Sequence, residues 1–213
     1  MPLKEIKEET SHQSPSAIEE LLEIQQTKVA AELEQLRRIQ TVIHTKLSLL
    51  HRARELQNVT DLSPVFLETQ EEEQLLILSA PIFSDNHDRI FSALCEHIAQ
   101  CSHYRLNSGY PYGAMLPLSG LRAQDWETYG YFFTETCQSP EKIPSSIKTC
   151  IKKAGTYAAI YLRGHYYKSE EAFRKLLAYL DTHRLAPGEF VYKTADLVAL
   201  CAKGKENITS KSM

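Results

Sequence analysis

The sequence lacks the features of a membrane or secreted protein. Its longest apolar runs, such as Leu75 to Leu78, are much shorter than the roughly 20 residues that a membrane-spanning helix needs. Charged residues appear from Lys4 onward, so the N-terminus does not resemble an apolar secretion signal. We therefore expect a cytoplasmic protein that makes no membrane contact.

Clustered metal ligands and cofactor motifs are also missing. The five cysteines include no Cys-x-x-Cys pair, and the eight histidines have no metal-ligand spacing. No phosphate-binding loop and no dinucleotide fingerprint occurs. We expect reduced thiols, no metal and no cofactor.

An excess of basic charge is absent as well. The chain has 24 Lys and Arg against 27 Asp and Glu, a formal net charge of -3. A domain that binds nucleic acid by itself usually carries a basic patch. We therefore expect any contact with DNA to be made by a domain that this chain lacks.

Glycine and proline are absent from residues 16–57, where Leu, Glu, Gln, Arg, Lys and Ala dominate. These residues favour helices, and Pro15 behind Ser14 suits a first turn, so a helix is predicted over 14–58. Its apolar residues alternate at spacings of four and three, interrupted only by Gln40, which is the pattern of a coiled-coil seam. The seam residues are Val29, Leu33, Leu36, Ile43, Leu47 and Leu50.

The predicted helix is too long to be covered by its own domain. About 40 residues at 1.5 Å per residue give roughly 60 Å, more than the width of a domain of about 150 residues. We therefore predict that the seam meets a second copy in a homodimer. The alternative is an amphipathic helix that lies on the core of its own domain.

After a linker at 58–64, the pattern predicts an α+β domain. Strand, strand, helix, strand, strand occurs in that order and is then repeated. The simplest arrangement is a curved antiparallel sheet with both helices on one side and a concave face for a ligand on the other. The predicted strands are 65–69, 75–78, 112–118, 129–136, 149–153, 157–162, 190–200 and 207–212.

Tyrosine is frequent in this domain, and all eleven tyrosines lie from Tyr104 onward. Strand alternation places Tyr129, Tyr131 and Glu135 on one face and groups Tyr157 with Tyr161. Aromatic rings beside an acid suit a flat, lipophilic cation, and no catalytic geometry is required. The predicted ligand-binding residues are Tyr129, Tyr131, Glu135, Tyr157, Tyr161, Tyr166, Glu189 and Tyr192.

A structural explanation exists for each of these residues. Tyrosine is favoured in strands by β-propensity alone, because its ring packs well on a half-buried surface. Glu135 and Glu189 could be solvated acids at strand edges. The ligand-site hypothesis therefore depends on the tyrosines acting as a group.

Several motifs together resemble a known family. Residues Leu3 to Lys7, followed by the run from Ile18 to Gln40, resemble the end of the winged helix-turn-helix domain and the dimerisation helix of MerR-family transcription regulators. Residues Ala154 to Ala158, then Arg163 to Tyr166, resemble the GyrI-like effector-binding domain of the multidrug-responsive members. The resemblance covers nearly the whole chain, and the order of the motifs is its most specific feature.

This resemblance implies three segments. Residues 1–13 correspond to a remnant of the DNA-binding domain, 14–58 to the dimerisation helix, and 62–213 to the effector-binding domain. It also implies a homodimer through an antiparallel coiled coil. DNA would be contacted only through a DNA-binding domain absent from this chain, as a result of truncation, a mis-called start or natural variation.

The resemblance further implies a buried acid after the second helix of the domain, within a Pro-x-Tyr-Glu-x-Tyr-like stretch that binds cationic ligands. The matching residues run from Pro187 to Tyr192, with Glu189 one position early and Phe190 in the expected position of the acid. A shift of one residue turns a strand side chain to the opposite face unless a bulge corrects it. The direction of Glu189 and the charge of the ligand therefore stay open.

Three functions are compatible with these patterns. The leading hypothesis is the non-enzymatic, effector-sensing and dimerisation portion of a MerR-type regulator that binds a lipophilic small molecule, such as a flat cation. The second is a stand-alone ligand sensor, or a dominant-negative partner that pairs with intact regulators. The third is a small-molecule hydrolase, because the resemblance includes GyrI-like domains that act in this way.

Overall fold

A computed structural model of the chain describes residues 14–57, 64–163, 169–195 and 209–212. The predicted remnant at 1–13 lies outside the described residues. The chain divides into two compact units, Met1–Thr41 and Val42–Met213. In the part that the structure describes, no helix is both long and apolar enough to cross a membrane.

Helix α1 spans Pro15–Gln57 and has 43 residues, as the absence of glycine and proline predicted. The backbone N–H of Ala17 donates to the carbonyl of Ser14 at 2.9 Å, so the first turn closes on Ser14. At 1.5 Å per residue, the helix is about 65 Å long.

The second unit contains the predicted order of strand, strand, helix, strand, strand twice, which confirms the α+β fold. A short helix over Leu118–Arg122 was not predicted, and the strand predicted over 129–136 begins only at Tyr131. Residues 196–208, which include parts of the last two predicted strands, lie outside the described residues. The elements are β1 Phe66–Gln70, β2 Gln74–Leu78, α2 His87–His103, β3 Tyr112–Pro117, α3 Leu118–Arg122, β4 Tyr131–Glu135, β5 Thr149–Lys152, β6 Gly155–Arg163, α4 Glu170–Thr182, β7 Phe190–Ala195 and β8 Thr209–Ser212.

The eight strands form one sheet in the order β1-β6-β8-β7-β3-β4-β2-β5. Neighbouring strands are antiparallel, and strands of the two repeats pair with each other at three places: β1 with β6, β3 with β7, and β2 with β5. Because side chains alternate along a strand, the strands whose side chains the structure describes contribute to both faces of the sheet. The two faces have different roles.

Helices α2 and α4 pack on one face, as predicted. Phe173 and Leu176 of α4 are buried against strand residues of this face, and Ile90 and Leu94 of α2 join the same core. We call it the helix face. Its buried strand residues in this core include Ala114, Leu116, Phe132 and Val191.

The sheet curves so strongly that its two edge strands approach each other. Gln70 at the end of β1 donates through Nε2 to the carbonyls of Lys152 and Lys153, at 3.3 and 3.4 Å. Strands β1 and β5 are nevertheless at opposite ends of the strand order. On the face opposite the helix face, the ammonium group of Lys152 in β5 lies 4.8 Å from the ring centroid of Tyr157 in β6, so this face is the concave one.

The C-terminal part of α1, from Val42 onward, belongs to the second unit and packs within it. Thr45 and Ala53 are buried. Gly109 has a φ of +95°, and a Cβ at this position would lie 3.0 Å from the carbonyl oxygen of Val42. Glycine is required here both for the backbone conformation and for the close approach of the helix.

Candidate functional site

The concave side of the sheet is lined by aromatic and aliphatic side chains, and we call it the aromatic face. Its floor is a buried cluster of Leu76, Leu78, Met115 and Phe133. Half-buried residues pack around that floor and leave part of their surface accessible. They are Tyr131, Cys150, Phe190 and Tyr192.

Ring contacts connect the aromatic residues across several strands. Tyr192 of β7 meets Phe133 of β4 and Tyr157 of β6 edge to face, with ring centroids 5.7 and 6.4 Å apart. Tyr161 stacks on Phe66 at 5.2 Å. These distances are typical of favourable aromatic pairs, so the rings form a rigid, broadly apolar wall.

The structure places five of the eight predicted ligand-binding residues on this face. They come from three strands that are far apart in the sequence, and strand alternation orients each of them. All five are partly buried. They are Tyr131, Glu135, Tyr157, Tyr161 and Tyr192.

Tyr129 lies elsewhere. It is 6% exposed and belongs to the core of the helix face, where its ring contacts that of Phe132 at 5.7 Å. It precedes β4, and its backbone forms an isolated β-bridge with Ser84. Strand alternation predicts Tyr129 and Tyr131 on the same face, but this alternation does not hold across Gly130.

A second predicted residue, Glu189, also lies off the aromatic face. Glu189 is exposed and precedes β7, and its carbonyl accepts a hydrogen bond from Leu118. Phe190 points into the aromatic face and contacts Tyr131, with ring centroids 5.9 Å apart. The one-residue shift noted in the sequence is thus not corrected by a bulge. Tyr166 lies outside the described residues.

Two lysines occupy the aromatic face, and the sequence analysis missed both. The ammonium group of Lys152 lies 4.8 Å from the ring centroid of Tyr157 and 5.3 Å from that of Tyr192. Lys148 lies 4.5 Å from the ring centroid of Tyr131 and donates to its hydroxyl at 3.2 Å. Lys148 and Lys152 are separated by an even number of residues along β5 and its N-terminal end, so strand alternation places both on the same face. This spacing is the sequence signal that could have identified them.

An exposed aromatic residue adjoins Tyr131. Phe83 contacts it edge to face, with ring centroids 5.5 Å apart, and 53% of Phe83 is exposed. Its φ of +39° is uncommon for a bulky residue. Phe83 could therefore contact a ligand at the edge of the face, which no periodicity in the sequence indicated.

Helix α1 reaches the aromatic face through Arg52. Its Nη2 donates to Oε1 of Glu68 and to the hydroxyl of Tyr161, each at 2.9 Å. Glu68 faces Tyr157 in the register of β1 and β6. One acid of this face is therefore paired with an arginine of α1.

A second connection to α1 runs through Tyr110. Burial raises the pKa of Tyr110 to about 12, with further contributions from the nearby Cys137 and Glu135, while a hydrogen bond with Thr45 opposes the rise. Glu135 thus lies close to a phenol that is bonded to α1. It is the acid from the sequence prediction that the structure retains on the aromatic face.

Burial keeps two groups of the face, the hydroxyl of Tyr192 and the thiol of Cys150, neutral at physiological pH. Burial raises the pKa of Tyr192 to about 12, and Cys150 and Tyr157 add to the rise. Burial also raises the pKa of the Cys150 thiol, partly offset by Lys148. These groups can donate hydrogen bonds, but they supply no negative charge to a ligand.

Buried polar groups also occur on the helix face. Lys193 is 1% exposed and donates to the hydroxyl of Ser169 at 2.8 Å, and burial lowers its pKa to about 7. Lys193 is adjacent to Tyr192 in β7 and so points away from the aromatic face. A serine and a lysine in contact resemble a catalytic pair, but this pair is enclosed in the core.

The aromatic face offers ring surfaces for stacking together with charged and hydrogen-bonding groups. It combines apolar ring surfaces with neutral hydroxyl donors and two ammonium groups, which is a typical composition for a small-molecule site. Among the described residues, no group of three His, Cys, Asp or Glu side chains could hold a metal ion. Nothing in this arrangement requires a chemical step.

The sequence of this chain is homologous to that of a known regulator. The chain is 27% identical to the multidrug-efflux transporter 2 regulator of Bacillus subtilis (strain 168) over 211 residues, which cover 99% of this chain and 73% of that protein. No family model matches the chain. The homology extends over the long helix and the β-rich domain, and it confirms the resemblance stated from the sequence.

Solved structures share the fold. A cryo-EM structure of an EcmrR–DNA complex matches all of this chain and 76% of its own, with a TM-score of 0.52 and 12% identity. The crystal structure of the EcmrR C-terminal domain matches 72% of this chain and 97% of its own, with a TM-score of 0.51 and 14% identity. A hydrolase from Listeria innocua matches 76% of this chain and 95% of its own, at a TM-score of 0.50 and 8% identity. The GyrI-like fold after a long helix is thus confirmed.

Proposed function

We propose that this chain, which is homologous to a multidrug-efflux regulator, is the effector-sensing and dimerisation portion of a cytoplasmic MerR-type transcriptional regulator. Its effector is a flat, lipophilic small molecule that stacks on the aromatic face. The observation that carries this proposal is the joining of Tyr131, Tyr157 and Tyr192 into one half-buried wall by a fold that curves around them.

The proposed site includes the five predicted residues on the aromatic face. Tyr157 and Tyr192 stand at its centre, while Tyr131 and Tyr161 extend it on either side. Glu135 is the predicted acid that lies on this face, whereas Glu189 is exposed and precedes the strand. Tyr129 is better explained as part of the core of the helix face.

The exposed seam of α1 supports the homodimer. In a single chain, Val29, Leu33 and Leu36 are 52, 49 and 61% exposed, and Ile43 and Leu47 are 54 and 49% exposed. Aliphatic side chains repeated along a helix in this way are costly to leave in water, and a second helix of the same pattern would cover them. The seam therefore favours pairing between copies over packing on the chain's own domain.

The regulatory output also belongs to the proposal. The curated relative is named as a regulator, and the EcmrR structure was determined on DNA. We propose that this chain acts on DNA only as part of an assembly that includes a DNA-binding domain. A structural change caused by effector binding on the aromatic face would be transmitted to α1 through the contacts that Arg52 and Tyr110 make.

Binding of a planar dye tests the sensing function. Titration calorimetry with a neutral polycyclic fluorophore should give saturable binding, and Tyr192→Leu should weaken it at least about tenfold, as expected for the loss of a stacking ring. Tyr104→Leu is the matched control, because Tyr104 is an exposed tyrosine at the end of α2. Equal losses in the two variants, or no binding by the native chain, would refute the site.

A further inference from the structure

One buried polar atom of the aromatic face lacks a partner. Oε1 of Gln74 is buried and accepts no hydrogen bond within the part of the chain that the structure describes. Gln74 as a whole is partly exposed, so its side chain reaches both the interior of the face and its accessible surface. Most buried polar atoms in proteins are hydrogen-bonded, so an orphan acceptor at this position requires an explanation.

The position of Gln74 follows from the register of β2. Leu76 and Leu78 belong to the floor of the aromatic face, and strand alternation places Gln74 on the same side. Gln74 also lies opposite Lys152 in the pairing of β2 with β5. The side chain of Lys152 reaches to within 4.8 Å of the ring centroid of Tyr157. The orphan oxygen is therefore close to the rings at the centre of the proposed site.

Two hydrogen-bond donors near this corner of the sheet are committed to other acceptors. Nε2 of Gln70 donates to the carbonyls of Lys152 and Lys153, at 3.3 and 3.4 Å. The hydroxyl of Tyr157 donates to the carbonyl of Lys153 at 2.8 Å. Because two side chains converge on one carbonyl, this corner is held in place, and neither donor is directed at Gln74.

The orphan oxygen is unfavourable in the free protein and favourable for a suitable ligand. Burial removes Oε1 of Gln74 from water, and no described residue replaces the lost hydrogen bond. A ligand that donates to Oε1 therefore gains a contact without a further desolvation cost for the acceptor. Half a turn of the amide exchanges the positions of Oε1 and Nε2, so the oxygen can also face a ligand at the accessible surface.

We infer that the effector is a flat aromatic molecule with an N–H or O–H donor at the edge of its ring system, and that Gln74 recognises this donor. This inference rests on the proposed ligand site. The ring system stacks on Tyr157 and Tyr192, while the donor reaches Oε1 of Gln74. Because the contact joins two neutral groups, it requires no charge on the ligand.

Two neutral tricyclic probes of nearly the same shape test the inference. Carbazole has an N–H group in its central ring, and fluorene has a CH₂ group at the same position. The affinity of each probe for the full chain is measured by fluorescence titration at neutral pH. Carbazole should bind at least about fivefold more tightly than fluorene, as expected for one hydrogen bond between neutral groups.

Substitution of Gln74 assigns the preference to this side chain. Gln74→Met keeps the length of the side chain and removes its acceptor, so carbazole and fluorene should bind the variant with equal affinity. Fluorene should bind the variant as tightly as it binds the native chain, which shows that the site is still folded. Gln35→Met is the matched control, because Gln35 is exposed on α1, and it should leave the ratio of the two affinities unchanged.

The stability of the variant separates an orphan acceptor from a structural one. If Oε1 has no partner in the free protein, Gln74→Met should retain or raise the free energy of unfolding in urea, because no hydrogen bond is lost. A glutamine that is required for the fold would instead destabilise it when replaced. A clear loss of stability in Gln74→Met would therefore contradict the inference.

The binding outcomes separate this inference from the proposed site. If carbazole and fluorene bind the native chain equally, or if Gln74→Met leaves their ratio unchanged, the inference is wrong, although fluorene binding that depends on Tyr192 would still support the site. If neither probe binds the native chain, both the site and the inference are refuted.

Discussion

Arg52 of α1 donates one hydrogen bond to Tyr161 of β6 at 2.9 Å, which joins the long helix directly to the aromatic face. The same nitrogen also contacts the carboxylate of Glu68. A ligand that moves Tyr161 or Glu68 would change the contacts of Arg52. This contact therefore gives a physical route from the proposed effector site to the helix.

A double-mutant cycle should measure the energy of this connection. We expect Arg52→Met and Glu68→Gln each to lower the free energy of unfolding, with a coupling energy of about 0.5–1 kcal/mol, because both side chains are partly exposed and water screens the ion pair. The quantity to compare is the free energy of unfolding in urea for the four proteins. Strict additivity of the two substitutions would show that the pair contributes nothing.

The sequence was sufficient to predict the architecture, because its signals were local. Absence of glycine and proline from 16–57 predicted α1, and apolar alternation with turn residues predicted the repeated strand order. Strand alternation also predicted which side chains share a face: Tyr131 with Glu135, and Tyr157 with Tyr161. In each case, the deciding interaction involved residues close in sequence or a simple period.

The errors and omissions involve long-range structure. Tyr129 was grouped with Tyr131 because β4 was predicted to begin two residues early, and only the core of the helix face shows where its ring packs. Lys152 reaches Tyr157 and Tyr192 because the sheet curves until its edges meet. The pairing of Arg52 with Tyr161 joins residues 109 positions apart, and no local pattern encodes it.

The coiled-coil seam gives a prediction about assembly. Leu36→Lys should raise the dissociation constant of the dimer at least about 100-fold, because each copy would bury a charge without a partner at the seam. Sedimentation velocity over a range of concentrations measures this change. Gln35→Lys is the control, since the adjacent position lies on the outer side of the heptad pattern. A native chain that sediments as a monomer at micromolar concentration would contradict the dimer.

His97 predicts a pH dependence of stability. Its ring is 1% exposed, contacts Thr134 through Nε2 at 3.0 Å and lies near Cys101 and Tyr112. Burial lowers its pKa from 6.5 to about 4. The unfolded chain therefore binds the proton first as the pH falls, so this group destabilises the fold progressively from pH 6.5 to about 4.

The effect of His97 should reach about 3 kcal/mol at the acid end of that window, since each unit of pKa difference corresponds to about 1.4 kcal/mol. His97→Gln keeps a hydrogen-bonding group beside Thr134 but cannot be protonated in this range. Urea unfolding at several pH values should give a flatter stability profile for the variant. Parallel profiles for the two proteins would show that His97 is not the group that titrates.

Gly113 is predicted to be essential for the floor of the aromatic face. It pairs with Phe133 across β3 and β4, and a Cβ at this position would lie 2.3 Å from Cζ of the phenyl ring. Since Phe133 is 2% exposed and enclosed by Tyr192 and the aliphatic floor, its ring has little space to move. Gly113→Ala should therefore lower the free energy of unfolding by about 1–3 kcal/mol, the usual cost of overpacking.

Two further variants distinguish this clash from a general effect of replacing glycine. Gly188→Ala should change stability by less than about 0.5 kcal/mol, because a Cβ there would meet no atom within 4 Å. Combining Gly113→Ala with Phe133→Leu should recover part of the loss, since the smaller side chain makes room for the new methyl group and the two substitutions are then not additive. Thermal unfolding and binding of the neutral fluorophore should recover together, because the same ring supports the fold and Tyr192. If the double variant loses as much free energy of unfolding as the two single variants lose together, contact between these two positions does not explain the need for glycine.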